Sequence, residues 1–417
     1  MKRILLGTTT LIGAAGLFAG AALAETPKVT VGGYANFEVG YVSDDMDSDT
    51  SATQVGTSQR PQAFRNDTQV DFRIDGKSDS GLAYGGEVDL LADVSPDVQQ
   101  RGFPFGGNAS KTFIYADAGW GRFEVGSNVG ADGTMKVDAG TIARATGGIN
   151  GDWSYFANSG DQYLAMASLP LGYGDINGGG FNNLGNHSEE NLSKVTYYTP
   201  RWAGFQLGVS YLPDQTNRGQ GVPPLTGVNP IGPNRTDNNE GLSENIWTGG
   251  INYDNKWSDV GVTLAATGEW GNSQNSAYED LKAWNAGAKL SYMGFSIAGS
   301  YGDWGSSNTL KADNSDDTWY WDVGAAYEYG PFGVSLTYMH SQFDCGLDTA
   351  SSGNTANCAA AGHNKFTSWS AGADYKLAPG LTPYAEVTWY KQRSADDTLP
   401  SLDNEGYAVL LGTQLNF

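Results

Sequence analysis

The chain has 417 residues, with 24 Lys+Arg against 46 Asp+Glu for a formal charge of −22, yet only 17% of residues are charged and 58 are glycine. Such acidity argues against nucleic-acid binding, which needs a basic face, and aromatics at 12% exclude a disordered acidic tail. Beyond the first 24 residues no apolar run approaches the roughly 18 to 20 residues of a spanning helix, so a helical membrane protein is excluded too.

Lys2 and Arg3 precede a mostly apolar run, Ile4 to Leu23, which closes with Ala22-Leu23-Ala24. A charged start, an apolar stretch and a small-x-small ending predict a secretory signal peptide over 1–24, cleaved after Ala24, and a single domain over 25–417. Losing it removes two cations and no acid, leaving 22 against 46, a charge of −24.

The rest alternates with period two, and no stretch has convincing helical periodicity. Strands are predicted near 29–43, 68–79, 82–93, 111–118, 122–128, 192–200, 203–212, 246–255, 258–270, 281–293, 294–304, 317–329, 332–343, 365–377, 380–392 and 405–417, sixteen in all. Their connections alternate in length. Short turns fall at Ser80-Gly81, Gly119-Trp120-Gly121, Arg201-Trp202, Asn255-Lys256-Trp257, Met293-Gly294, Gly330-Pro331 and Ala378-Pro379; long polar connections span 44–67, 94–110, 129–191, 213–245, 271–280, 305–316, 344–364 and 393–404. This predicts an up-and-down antiparallel meander with turns at one end and loops at the other. An even strand count puts both termini at the turn end, where first and last strands can pair and remove the edges.

The faces of the strands indicate their surroundings. Phe205, Leu207, Val209 and Tyr211 oppose Gln206, Gly208 and Ser210, and Phe332, Val334, Leu336 and Tyr338 oppose Ser335 and Thr337. A polar row, Asp67, Gln69, Asp71, Arg73, Asp75 and Lys77, opposes Val70, Phe72 and Ile74. A soluble β-sandwich would alternate likewise, but two features favour a transmembrane barrel. Aromatics gather at strand ends, with Trp120, Trp202, Trp257, Tyr292 and Tyr329 by the turns and Tyr211, Trp247, Trp270, Trp284, Tyr301, Trp304 and Trp389 nearer the loops; such rings suit both edges of a bilayer. Most strands also exceed the roughly 9 to 11 residues needed to cross hydrocarbon at a tilt.

The segment Lys194-Val-Thr-Tyr-Tyr-Thr-Pro-Arg-Trp-Ala-Gly-Phe-Gln-Leu-Gly-Val-Ser-Tyr211 resembles the hairpin signature of Gram-negative general porins, and Phe113 to Gly126, turning at Gly119-Trp120-Gly121, resembles their fourth and fifth strands. The ending Tyr407, Val409, Leu411, Leu415, Phe417 is similar to the C-terminal signal read by the outer-membrane assembly machinery. The resemblance runs patchily over the mature chain and is closer to acidic porins of non-enterobacterial groups, since the Pro-Glu-Phe-Gly motif of the enterobacterial constriction loop is missing. It implies an all-β, sixteen-stranded antiparallel transmembrane barrel in the outer membrane, with short periplasmic turns, long extracellular loops and an inward-folded third loop. The implied assembly is a homotrimer among outer-membrane lipid and lipopolysaccharide, passing small hydrophilic solutes without enzymatic chemistry.

The third long connection, 129–191, has 63 residues, far beyond the roughly 12 to 15 usual for a structureless loop, and is the expected constriction. Asp132, Asp138, Asp152 and Asp161 there, against only Lys136 and Arg144, are its expected acidic side. Arg73, Lys77, Arg122 and Lys194 are the expected basic wall, and Glu38, Asp71, Asp75, Glu87, Glu124 and Asp374 share inward parity. Carboxylates concentrated by a low-dielectric wall predict modest cation selectivity. The alternatives are a sugar-preferring channel with Trp153, Tyr155 and Phe156 as a stacking slide, or a surface adhesin using the loop at 213–245 with its Pro223-Pro224.

No cofactor and no specific metal site is expected. The cluster Asp44-Asp45-Met46-Asp47-Ser48-Asp49 has an Asp-x-Asp-x-Asp spacing, but Thr50 and Gly56 replace the turn glycine and bidentate glutamate of a calcium loop, leaving only weak Ca2+ binding by acidic loops. Cys345 and Cys358 lie thirteen positions apart. In an exported chain this favours one loop-closing disulfide over two free thiols. The three histidines, His187, His340 and His363, give no pairing of nucleophile and base.

Overall fold

The computed structural model describes residues 26–45, 61–92, 108–157, 167–175, 192–215, 243–307, 309–311, 318–344, 363–393 and 403–417. Outside them lie the expected leader, Met46 to Asp49 of the acidic cluster, Asp161, His187, Pro223-Pro224, and Cys345 and Cys358. The strands are β1 (Lys28–Asp44), β2 (Gln62–Lys77), β3 (Ala83–Leu91), β4 (Asn108–Ala118), β5 (Gly121–Ser127), β6 (Ser193–Tyr198), β7 (Phe205–Asp214) and β8 (Ser243–Trp257). They continue as β9 (Val260–Ser273), β10 (Leu281–Tyr292), β11 (Phe295–Gly305), β12 (Thr318–Tyr329), β13 (Phe332–Asp344), β14 (His363–Tyr375), β15 (Leu381–Arg393) and β16 (Asn404–Asn416). Each is antiparallel to its sequence neighbours, and β1 pairs with β16, so the sheet closes as a sixteen-stranded barrel without edges.

The register follows the alternation. On β1 Phe37 is 54% exposed on the outer surface, while its neighbour Glu38 is fully buried inside; on β2 Phe64, Phe72 and Ile74 face outward and the charged row inward. Two hairpins use turns with positive φ at both central residues, Ala203-Gly204 and Met293-Gly294, the twist that suits antiparallel strands. The turn expected at Arg201-Trp202 is therefore displaced to Ala203-Gly204, because Trp202 still bridges to Phe205. Likewise Trp257 pairs with Val260, which moves the next turn to Ser258-Asp259. Outward aromatics form the expected end bands, with one exception. Trp304 has inward parity on β11, is almost fully buried, and donates its indole N–H to the Ser168 carbonyl at 3.0 Å.

The interior is not open all round. Leu212, Ile246, Leu281, Met339, Phe366 and Leu410 point inward from β7 to β16 and pack with Ile149, Trp153, Leu169 and Leu171 of the third long connection. That connection holds helix α1 (Ala131–Met135) and short 3-10 turns at Ala139–Ile142, Gly148–Asn150, Asp152–Tyr155 and Pro170–Asp175. It lies so close to the wall that a Cβ at Gly287 on β10 would overlap the Val137 carbonyl, and one at Gly208 on β7 would meet Met135 Sδ at 2.7 Å. Glycine at these positions lets backbone and side chain press against the sheet. Trp153, 1% exposed, stacks between Phe366 and Tyr390 with ring centroids at 5.8 and 5.5 Å. Truncating it to alanine should lower barrel stability by about 3 to 5 kcal/mol in a denaturant titration.

Candidate functional site

The third long connection is fastened by wall groups that accept its backbone N–H donors. Asp322 on β12 accepts from Ala139 at 2.6 Å, Glu386 on β15 from Thr146 at 3.1 Å and Gly148 at 3.4 Å, and Glu269 on β9 from Leu171 at 3.1 Å. Ser210 and Ser335 accept from the Ala131 and Arg144 amides, both at 2.8 Å. Short 3-10 turns leave amides without internal partners, so each needs an acceptor when buried. All three carboxylates have inward parity within strands expected from the sequence, a signal that could have found them although none was among the expected residues. Their partners in the loop were not.

Arg144 reaches from the loop to the turn end of the barrel. Its Nε and Nη2 donate to Asp374 at 2.7 and 2.8 Å, and its Nη1 to Glu328 at 2.7 Å. The bidentate fork fixes orientation as well as charge, and Asp374 holds the Arg144 guanidinium above its ordinary value. The other loop cation, Lys136, donates to Asp138 at 2.9 Å and to the Ala167 carbonyl at 2.5 Å. Burial opposes its charge, but Asp138 holds it above the usual lysine value.

The expected acidic residues of the loop divide by position. Asp132 and Asp138 are buried; Asp138 pairs with Lys136 and caps the Thr141 amide at 3.0 Å. Asp152 stays partly open and lies 3.3 Å from Arg65 on β2. Arg65 also binds Glu38 at 2.8 Å and Asp67 at 3.3 Å, and its guanidinium sits 3.9 Å from the centroid of the Tyr155 ring. Here, as at Arg144, loop and wall charges meet, and Arg65 was not among the expected residues because its segment read as loop. Of the aromatics considered for a stacking slide, Trp153 is buried, Phe156 packs on the interior cluster, and Tyr155 alone is well exposed.

The opposite arc, β1 to β5, carries charge and little apolar cover. Arg73 pairs with Glu87 at 2.7 Å while more than half its side chain remains exposed. Lys77 is exposed at the end of β2, and Asp75 accepts from the Tyr115 hydroxyl at 2.5 Å. Arg122 donates to Glu124 at 2.6 Å and lies 4.0 Å from the Tyr115 ring centroid. Asp71 accepts from Gln69 at 2.7 Å and stands opposite Asp89 in register. Lys194, on β6, is buried and donates to the Asn128 carbonyl. The loop faces this arc with small or polar residues, Gly133, Thr134 and Thr141 being exposed. The geometry is a polar crescent between a charged wall and a loop cemented to the other side.

A closed sixteen-stranded barrel with an apolar outside and a charged, partly filled inside defines an outer-membrane channel. The sequence matches the family model described as Gram-negative porin over residues 8–395, and the chain belongs to that family. Similar proteins include an uncharacterized protein of Rickettsia conorii, 28% identical over 359 residues covering 74% of this chain and 76% of the relative. Another, from Rickettsia typhi, is 28% identical over 479 aligned positions covering all of both chains. Among solved structures, an engineered Rh. blastica porin superposes with a TM-score of 0.53 at 13% identity, over 93% of this chain and 100% of that one. A porin refined at 1.8 Å gives 0.53 at 15%, over 94% and 100%. Identities this low speak for the fold alone.

Proposed function

We propose that small hydrophilic solutes and ions diffuse passively through the crescent along β1 to β5, with a modest preference for cations. The observation that carries this reading is the charge of the arc. On β2 Asp67, Asp71 and Asp75 match Arg65, Arg73 and Lys77, while β3 adds Glu87 and Asp89 without a cation of its own. Such walls concentrate the field of their carboxylates across the bore. In this reading Asp152 supplies the acidic side where the loop meets Arg65, Asp132 and Asp138 act mainly by holding the loop, and Asp161 adds charge to the same connection. Arg73, Lys77 and Arg122 form the basic counterpart, and Lys194, buried on β6 against the Asn128 carbonyl, adds its charge from behind that wall.

In a planar bilayer under a KCl gradient, the reversal potential should have the sign of cation preference. An anion-preferring potential would refute the selectivity. We also read the chain as a homotrimer with Cys345 joined to Cys358; native mass spectrometry should give three times the mature mass, and reduction should add two hydrogens per chain.

A further inference from the structure

Three buried carboxylates on the packed side of the barrel share one ammonium. Asp132 and Asp138 in the third long connection and Asp322 on β12 are 3%, 2% and 3% exposed, and all three lie around Lys136. The Lys136 ammonium is committed to Asp138 at 2.9 Å and to the Ala167 carbonyl. Asp322 accepts from the Ala139 amide and the Ser300 hydroxyl. Asp132 has no ion pair within 4 Å among the described residues, and its Oδ1 accepts no hydrogen bond there. A buried carboxylate left in that condition is costly.

The wall beneath Asp132 is short of partners in the same place. Ser210 on β7 accepts the Ala131 amide at 2.8 Å and stands opposite Thr248 on β8, and α1 packs against β7, β8 and β9, which sets Asp132 over this stretch of wall. Ser210 is satisfied by that amide and by Thr196 at 2.8 Å. Thr248 and Thr267 are not: they are 1% and 6% exposed, and neither hydroxyl has a partner among the described residues. Thr248 stands opposite Glu269 on β9, and Thr267 precedes Glu269 by two, so the three share the inward face of one strand pair. Glu269 is fully buried, with Oε2 accepting the Leu171 amide at 3.1 Å.

The unpartnered atoms at this place are oxygens, from two hydroxyls and a carboxylate, and they lie beside a second carboxylate. Water would satisfy the hydroxyls and leave the Asp132 charge as it is. A hard divalent cation answers both needs, because it takes oxygen ligands and two carboxylates cancel its charge. We propose that one calcium ion is bound behind the third long connection, by the Asp132 and Glu269 carboxylates and the Thr248 and Thr267 hydroxyls. The ion cross-links α1 to β8 and β9, as Arg144 links a later part of the loop to the turn end. It is separate from the acidic run at 44–49 and from the conducting arc, and it needs only the fold, not the channel reading.

The test uses full-length protein in detergent, unfolded with a chelator and refolded with or without calcium chloride, read by elemental analysis after desalting and by thermal unfolding. Protein refolded with calcium should retain one ion per chain and unfold at a higher temperature than chelated protein. Thr248→Val/Thr267→Val keeps the shape of both side chains and should weaken calcium retention about tenfold. In chelator the same variant should unfold no earlier than the unaltered protein, because it removes two buried hydroxyls that have no partner. Asp132→Asn should abolish the calcium-dependent rise, and Asp75→Asn, on the opposite arc, should change neither reading. Folded protein that retains no ion and shows no calcium-dependent rise would overturn the proposal in favour of ordered water. So would equal retention by the unaltered protein and Thr248→Val/Thr267→Val, which would place the ion elsewhere, the acidic run at 44–49 included. Neither reading is a current, so failure of this site is distinguishable from failure of the channel reading.

Discussion

Replacing Arg144 with alanine should loosen the third long connection and lower barrel stability by about 3 kcal/mol in a denaturant titration. Arg144 ties this loop to the turn end through two bonds to Asp374 and one to Glu328. Its removal leaves Asp374, which is nearly buried, without a counter-charge. Arg144→Lys should recover less than half the loss, because an ammonium cannot fork across one carboxylate while reaching a second. The rest of the loop stays cemented by the apolar cluster around Trp153 and Leu171, so the channel should still conduct, with noisier open-state current. An unchanged midpoint together with unchanged current noise would show that this contact does not hold the loop.

The cation preference should fall as the solution passes from pH 8 to pH 6, and Asp152→Asn should reduce that dependence. Burial, followed by the negative charge of Glu38, pushes Asp152 up to about 7 despite the Arg65 guanidinium nearby. Its carboxylate therefore loses charge within this window. One unit charge about 6 Å from a passing ion in water is worth roughly 0.7 kcal/mol, or about threefold for each ion. Stability has the opposite sign from the usual paired carboxylate. A raised native value means that the folded chain holds the proton more tightly than the unfolded one. The contribution of Asp152 to stability is thus fully present below about pH 4 and falls as the pH rises toward 7. Asp152→Asn should flatten that slope and raise stability at pH 8 by roughly 1 to 2 kcal/mol, allowing for the water that still reaches the carboxylate. Reversal potentials and unfolding midpoints across this range measure both effects; identical pH profiles for the two proteins would rule out Asp152 as the titrating group.

The barrel was legible because a wall between oil and water imposes period two on every strand, and because Trp120, Trp202 and Trp257 mark its rim. The row from Asp67 to Lys77 could be assigned inward by parity alone. Arg65 escaped because Asn66 and Thr68 occupy outward positions on β2 where apolar residues would have extended the alternation. Trp304 and Trp153 were misleading for a shared reason. An indole suits a membrane rim or an exposed slide, but it suits a dry contact equally well when a carbonyl accepts its N–H, as those of Ser168 and Gly148 do here. Glu269, Asp322 and Glu386 have readable parity, yet their work depends on amides roughly 100 to 240 positions away in sequence, and no periodicity encodes the path of a loop.

The most direct test is the single-channel current of Asp71→Cys and Ala283→Cys before and after a cationic thiol reagent, with the unaltered protein as the baseline for its two native cysteines. Asp71 lies on the charged arc and Ala283 beneath the packed side. If ions travel along β1 to β5, the reagent should cut the current through Asp71→Cys in discrete steps and leave Ala283→Cys at baseline. Protein that inserts but passes no current, or equal block at both positions, would contradict a water-filled passage confined to that arc.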